Sequence, residues 1–141
     1  MELHLQNKDL KALINVLETI TVRNMPANRG RAKLLMHATK KFEEYGQDEL
    51  DIIKKFAETD ADGELLVNAS GHFVPKTDAD MTLVNTLVTE LSAEPVVFSA
   101  GEYEKRYEDF LTYLSSCEDN FDAEAVMVID TILDQFEGAS K

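Results

Sequence analysis

One cysteine, Cys117, leaves the chain unable to form an internal disulfide, which fits a reducing compartment, the cytoplasm being the expected location. Apolar runs are short, as at 125–129, well below the roughly 20 residues that a membrane-spanning helix needs. The start, Met1-Glu2-Leu3-His4-Leu5, carries a carboxylate and no apolar stretch, so no secretory signal is expected. Gly-rich phosphate loops, GxSxG elbows, HExxH pairs and CxxC pairs are all missing. The three histidines, His4, His37 and His72, show no metal-ligand spacing with one another or with Cys117. Carboxylates around Cys117 (Glu118 and Asp119) disfavour a thiolate nucleophile. These absences lead to the expectation of a non-enzymatic protein with no cofactor and no metal.

What is present is an ordinary globular composition, 44% hydrophobic and 29% charged over 141 residues, enough to bury a real core in one domain. The charge is uneven. Residues 1–57 hold ten Lys/Arg against eight Asp/Glu, whereas residues 58–141 hold four against nineteen. The net −13 argues against direct nucleic-acid binding by the whole molecule, because phosphates need a cationic surface. Between Glu18 and Glu43 there is no carboxylate, and Arg23, Arg29, Arg31, Lys33, Lys40 and Lys41 make a basic patch. The acidity has two readings, simple solubility or a surface aimed at a basic partner.

Along the chain, Glu2 to Gln6 alternates like a short strand, and Asn7 is placed to cap a helix with Leu10, Leu13, Ile14, Leu17 and Ile20 on one face. Met25-Pro26-Ala27-Asn28 breaks that pattern. A second helix begins near Arg29 and is expected to end at Gly46, and Asp48 is expected to cap a third. Turn residues at 59–63 precede a β-hairpin at 64–75, centred on Ala69-Ser70-Gly71. A further helix from about Ala79 is stopped by Glu94-Pro95, and 95–98 reads as an edge strand for the hairpin or the N-terminal strand. Ser99 with Glu102 spells a capping box for a helix bearing Tyr103, Tyr107 and Phe110. Asp122 caps the last helix, with Phe121 and Val126 spaced as a hydrophobic staple. The expected fold is α+β and mainly helical: one domain over 1–141, a helical half at 1–57, the hairpin, and an acidic helical part at 79–137. It has about six helices and a small antiparallel sheet made by the hairpin and, as an option, the N-terminal strand.

Two acidic clusters bear on function. Asp60, Asp62 and Gly63 resemble part of a calcium loop, but the position that should supply a bidentate glutamate is Ala69, so the segment reads as a turn. On the last two helices, Glu104 and Glu108 repeat at i, i+4, and Asp130, Asp134 and Glu137 at i, i+4, i+7. With Glu102 and Asp109 they form the expected partner-binding face. A solvated surface explains them, and so does a regular row of negative charge imitating a phosphate backbone, since like pairs cost only a few tenths of a kcal/mol. Any of the aromatic residues Tyr103, Tyr107 and Phe110 that stay exposed become anchors for a partner.

Several segments resemble a family of small proteins encoded by bacteriophages of Gram-positive bacteria. They are Leu5-Gln6-Asn7-Lys8-Asp9-Leu10, Arg29-Gly30-Arg31-Ala32-Lys33, Gln47-Asp48-Glu49-Leu50 through Ala57, Asp60-Ala61-Asp62-Gly63, Gly71-His72-Phe73 and Glu94-Pro95-Val96-Val97. The resemblance implies a phage or prophage origin and assigns no residue a role. The expectation is an accessory protein that binds another protein. One alternative is a nucleic-acid mimic that inhibits a basic host defence nuclease of the CRISPR type, and another is a virion or assembly component. No membrane contact is expected, and the oligomeric state is not legible.

Overall fold

The computed structural model describes residues 1–139. It is mainly helical, with five α-helices and one two-stranded antiparallel sheet. The chain runs β1 (Glu2–Gln6), α1 (Leu10–Thr19), α2 (Met25–Phe56), α3 (Asp78–Ala93), β2 (Pro95–Ser99), α4 (Glu104–Ser115) and α5 (Ala123–Ala139). It divides into two compact units where the sequence reading drew no boundary. One comprises Met1–Phe42 with Pro95–Lys141, the other Glu43–Glu94.

The first unit holds most of the core. Alternation in β1 sends Leu3 and Leu5 inward, and Leu3 lies opposite Phe98 of β2 in the antiparallel register. The 95–98 run therefore pairs with the N-terminal strand, and the central hairpin takes no part in the sheet. From α1, Leu10, Ala12, Leu13, Val16 and Leu17 are buried. From α4 come Tyr107, Phe110, Leu111 and Leu114, and from α5 Val128, Ile129 and Ile132. Each buried leucine or isoleucine contributes about 1.5–3 kcal/mol relative to exposure.

Several helix ends differ from the sequence expectation. Asn7 lies in a single 3-10 turn, Asn7–Asp9, and α1 begins after it. The carboxylate of Asp9 accepts the Gln6 amide at 3.0 Å, holding the strand-to-helix corner. Met25-Pro26 does not interrupt a helix but starts one. Asn24 Oδ1 accepts the Ala27 amide at 3.0 Å as a cap, and proline fits a first turn because its missing N–H would lack an intrahelical partner there. The second and third expected helices are one continuous α2. A terminating glycine adopts positive φ, and Gly46 is not among the positive-φ glycines. Asp48 stays inside the helix. Ser99 ends β2 opposite Glu2, and a 3-10 turn at Gly101–Tyr103 separates it from α4, which has no side-chain cap, so the expected capping box does not form. Asp122 does cap α5, accepting the Ala125 amide at 2.8 Å. Val126 is 49% exposed.

Helix α5 also closes an edge of the sheet. The Gln135 side chain accepts the His4 amide at 2.6 Å and donates to the His4 carbonyl at 2.8 Å, as a neighbouring strand would. Unpaired strand edges invite association, so this amide both anchors α5 and blunts β1. Gln135→Ala is expected to cost about 1–2 kcal/mol, two hydrogen bonds near the usual net value. Chemical denaturation followed by circular dichroism would measure it, and an unchanged midpoint would contradict the anchoring role.

The second unit is α2 from Glu43, a meander at 57–76, and α3. The meander consists of isolated bridges: Ala57 with Pro75, Thr59 with Leu65, and Val67 with Phe73. The expected hairpin turn is there, Asn68 donating to the His72 carbonyl at 2.8 Å, but 57–59 joins both arms. At the first turn Asp60 Oδ1 accepts the amides of Asp62 and Glu64, and Gly63 takes φ +82°, which a side chain would resist. Thr77 caps α3 by accepting the Asp80 amide at 3.0 Å. Among the described residues of this unit, only Ala57, Val84 and Leu91 are buried hydrophobics.

Candidate functional site

The seven carboxylates expected to form the binding face occupy two different settings. On α4, Glu104 receives the Met1 amino group at 2.8 Å. Asp109 holds the Lys105 ammonium at 3.0 Å. Glu102, just before α4, and Asp109 line an open groove together with Met25, Pro26, Arg29, Lys105 and Arg106. Glu108 is exposed. Glu102, Glu104 and Asp109 thus stand among cations. On α5, Asp130, Asp134 and Glu137 are all exposed and share one helix face by their spacing. Asp130 borders a groove that also includes Lys8, Asp9 and Met127.

The greater concentration of negative charge lies elsewhere. The unit Glu43–Glu94 carries thirteen carboxylates against Lys54, Lys55 and Lys76. The remainder of the chain carries fourteen against eleven Lys/Arg, close to balance. Among the described residues, the carboxylates of the acidic unit form no ion pair; the three in the structure all lie in the other unit. On the meander, Glu58, Asp60, Asp62 and Glu64 are exposed. Beside them Leu66 is 41% and Val67 63% exposed, and Leu83 on α3 is also exposed. Sequence reasoning split the charge at residue 58 and missed this grouping. A count over 43–94 would have found it, but nothing in the sequence marks those boundaries.

The basic stretch lies on and just before the first half of α2. Arg31 is turned to structural use, donating to the Leu17 carbonyl at 2.8 Å and to Asn28 Oδ1 at 2.7 Å. Arg23, Arg29 and Lys40 are exposed, and Lys33 and Lys41 half-buried. The ammonium groups of the half-buried pair lie over aromatic rings: Lys33 Nζ is 4.2 Å from the Tyr103 ring centre and Lys41 Nζ 5.5 Å from that of Phe98. Arg106 also sits 5.4 Å from the Tyr103 centre. Tyr107 and Phe110 are fully buried, and Tyr103 is half-buried.

Between Lys33 and Lys41 on the helix lies His37, whose Nδ1 is hydrogen-bonded to the Tyr107 hydroxyl. Burial pushes the Tyr107 hydroxyl well above its ordinary pKa, so it stays protonated and donates to a neutral imidazole. His37 is held below its ordinary pKa of 6.5, first by burial and then by Lys33, Lys41 and Lys40. A depressed folded-state value means that the unfolded chain binds the proton more readily. The stabilisation is therefore complete above about pH 6.5 and lost as pH falls through the lower folded value. Stability should decline as pH falls below about 6.5, and His37→Gln should flatten that slope. Denaturation midpoints across the window would check it; identical slopes in both proteins would exclude His37 as the cause.

Other chemistry-bearing residues are dispersed. His4 Nε2 is 3.2 Å from Glu2 at the surface, and His72 is exposed on the meander. Half-buried Cys117 accepts the Asp119 amide at Sγ. Among the described residues no three His, Cys, Asp or Glu side chains are grouped to hold a metal ion, and no helix is long and apolar enough to cross a membrane.

No curated protein and no solved structure matches the chain. A family model described as "Protein of unknown function (DUF1617)" matches residues 1–141. With its whole length covered, the chain belongs to the DUF1617 family.

Proposed function

We propose that this chain is a non-enzymatic accessory protein, of phage or prophage origin, that works by binding a basic protein partner through its acidic unit. The observation that carries the reading is the separation of charge between the two units. Thirteen carboxylates against three lysines, with no ion pair among them, leave Glu43–Glu94 free to attract a Lys/Arg-lined surface. Exposed Leu66, Val67 and Leu83 supply the apolar contact that charge alone does not. The small buried core of this unit fits a surface built to be covered.

The exposed row Asp130, Asp134 and Glu137 favours a sharper version, in which negative charge imitates nucleic acid and blocks a host nuclease. In that version the α5 row carries the contact and the partner brings a nucleic-acid channel. Capture from a host lysate at low salt and at about 0.5 M salt, with captured proteins identified by mass, tests both readings. Charge reversal at Glu58, Asp62 and Glu64 should abolish salt-sensitive capture of a basic protein if the acidic unit is the contact. Reversal at Asp130 and Asp134 should do so if the mimic reading holds. Capture unchanged by either set would refute both.

A further inference from the structure

In a chain with nearly twice as many carboxylates as cations, the outer face of α2 gathers cations beside exposed apolar side chains. Met25, Arg29, Met36 and Lys40 recur at i, i+4, i+11 and i+15, with Lys33 between them, and so lie along one side of the helix. Among the described residues neither arginine nor lysine on this face forms an ion pair, although Glu102 and Asp109 border the Arg29 groove. Met25 is 66% and Met36 53% exposed. The face thus combines cations free of ion pairs, Lys33 lying over the Tyr103 ring, with two flexible apolar side chains.

The meander of the acidic unit presents the converse: exposed Glu58, Asp60, Asp62 and Glu64 beside exposed Leu66 and Val67. We infer that these two surfaces bind each other between two copies of the chain. The Met25–Arg29–Lys33–Met36–Lys40 face of one copy receives the 58–67 meander of the other, and a two-fold axis repeats the contact in reverse. Charge complementarity names the occupant. The cationic face asks for a carboxylate-rich surface carrying apolar side chains, and every copy of the protein displays one. A nucleic-acid strand would answer the cations but not the methionines, and it would meet the repulsion of a molecule with net charge −13. The pairing does not depend on the foreign partner proposed above. In the dimer the acidic surface is covered, so a basic host protein would have to displace the second copy to reach it.

The test uses the full chain, with sedimentation measured over a range of concentrations. At low salt the wild type should dimerise, and about 0.5 M salt should weaken the association at least about tenfold. Two charge-reversed variants separate the halves of the contact, one carrying Arg29→Glu, Lys33→Glu and Lys40→Glu, the other Glu58→Lys, Asp62→Lys and Glu64→Lys. Each alone should be monomeric with a wild-type circular dichroism spectrum, and an equimolar mixture should pair, because opposite charges then face each other in both contacts. A wild type that stays monomeric, dimers that persist in either variant, or a mixture that fails to pair would each overturn the assignment. So would a monomeric wild type that retains DNA through Arg29, Lys33 and Lys40. A monomer that still captures a basic host protein would sink self-association alone and leave the proposed function standing.

Discussion

Gly30→Ala should be among the most damaging single substitutions in this protein. A methyl group at Gly30 would lie 1.9 Å from the Arg106 carbonyl oxygen and 2.9 Å from Phe110 Cβ. The first neighbour is backbone of α4, so no rotamer change relieves the clash, and α2 and α4 must separate where Tyr107, Phe110 and Leu111 are buried. Overpacking of this severity costs about 3 kcal/mol or more. The same substitution at Gly46 is the control, because nothing lies within 4 Å of a methyl there. Gly46→Ala should stabilise by up to about 1 kcal/mol, the helix-propensity difference. Urea denaturation of both variants gives the comparison. Equal effects would mean that the helices do not meet at Gly30, and a loss of stability at Gly46 would argue against a continuous α2.

Truncation of Tyr107 should have an effect of similar size. Its ring is fully buried and its hydroxyl meets His37 Nδ1. Tyr107→Ala should cost about 3–5 kcal/mol, as other buried aromatic truncations do, through lost transfer energy and the cavity left behind. Tyr107→Phe keeps the ring and removes only the hydrogen bond. His37 is partly solvated, so water can replace the lost donor, and the cost should be near 1 kcal/mol. The ratio of the two losses separates packing from hydrogen bonding. If phenylalanine proves as harmful as alanine, the hydroxyl is the dominant contribution.

Much of the architecture was legible in residue order. The stripe Leu10, Leu13, Leu17 foretold α1, the alternation of Leu3 and Leu5 foretold β1, and Asp122 foretold the start of α5, because these signals act over one or two turns. Gly46 and Pro26 misled for a physical reason. Each residue is compatible with two backbone settings, a helix end or a helix interior for glycine, a break or a first turn for proline. The flanking strong helix formers decided between them. Ser99 misled because pairing with Glu2, from the far end of the chain, extends β2 through it and α4 starts only at Glu104.

The candidate site followed the same division. Composition and residue order established net negative charge, the basic run at 23–41 and the lack of a catalytic motif, since these depend only on which residues are present and in what order. Which charges meet was decided by tertiary structure: Glu104 joined to the amino terminus, Asp109 set among Arg29, Lys105 and Arg106, and thirteen carboxylates gathered into Glu43–Glu94. Electrostatic energy depends on distance in space, and folding sets those distances between residues that sequence order leaves up to about a hundred positions apart.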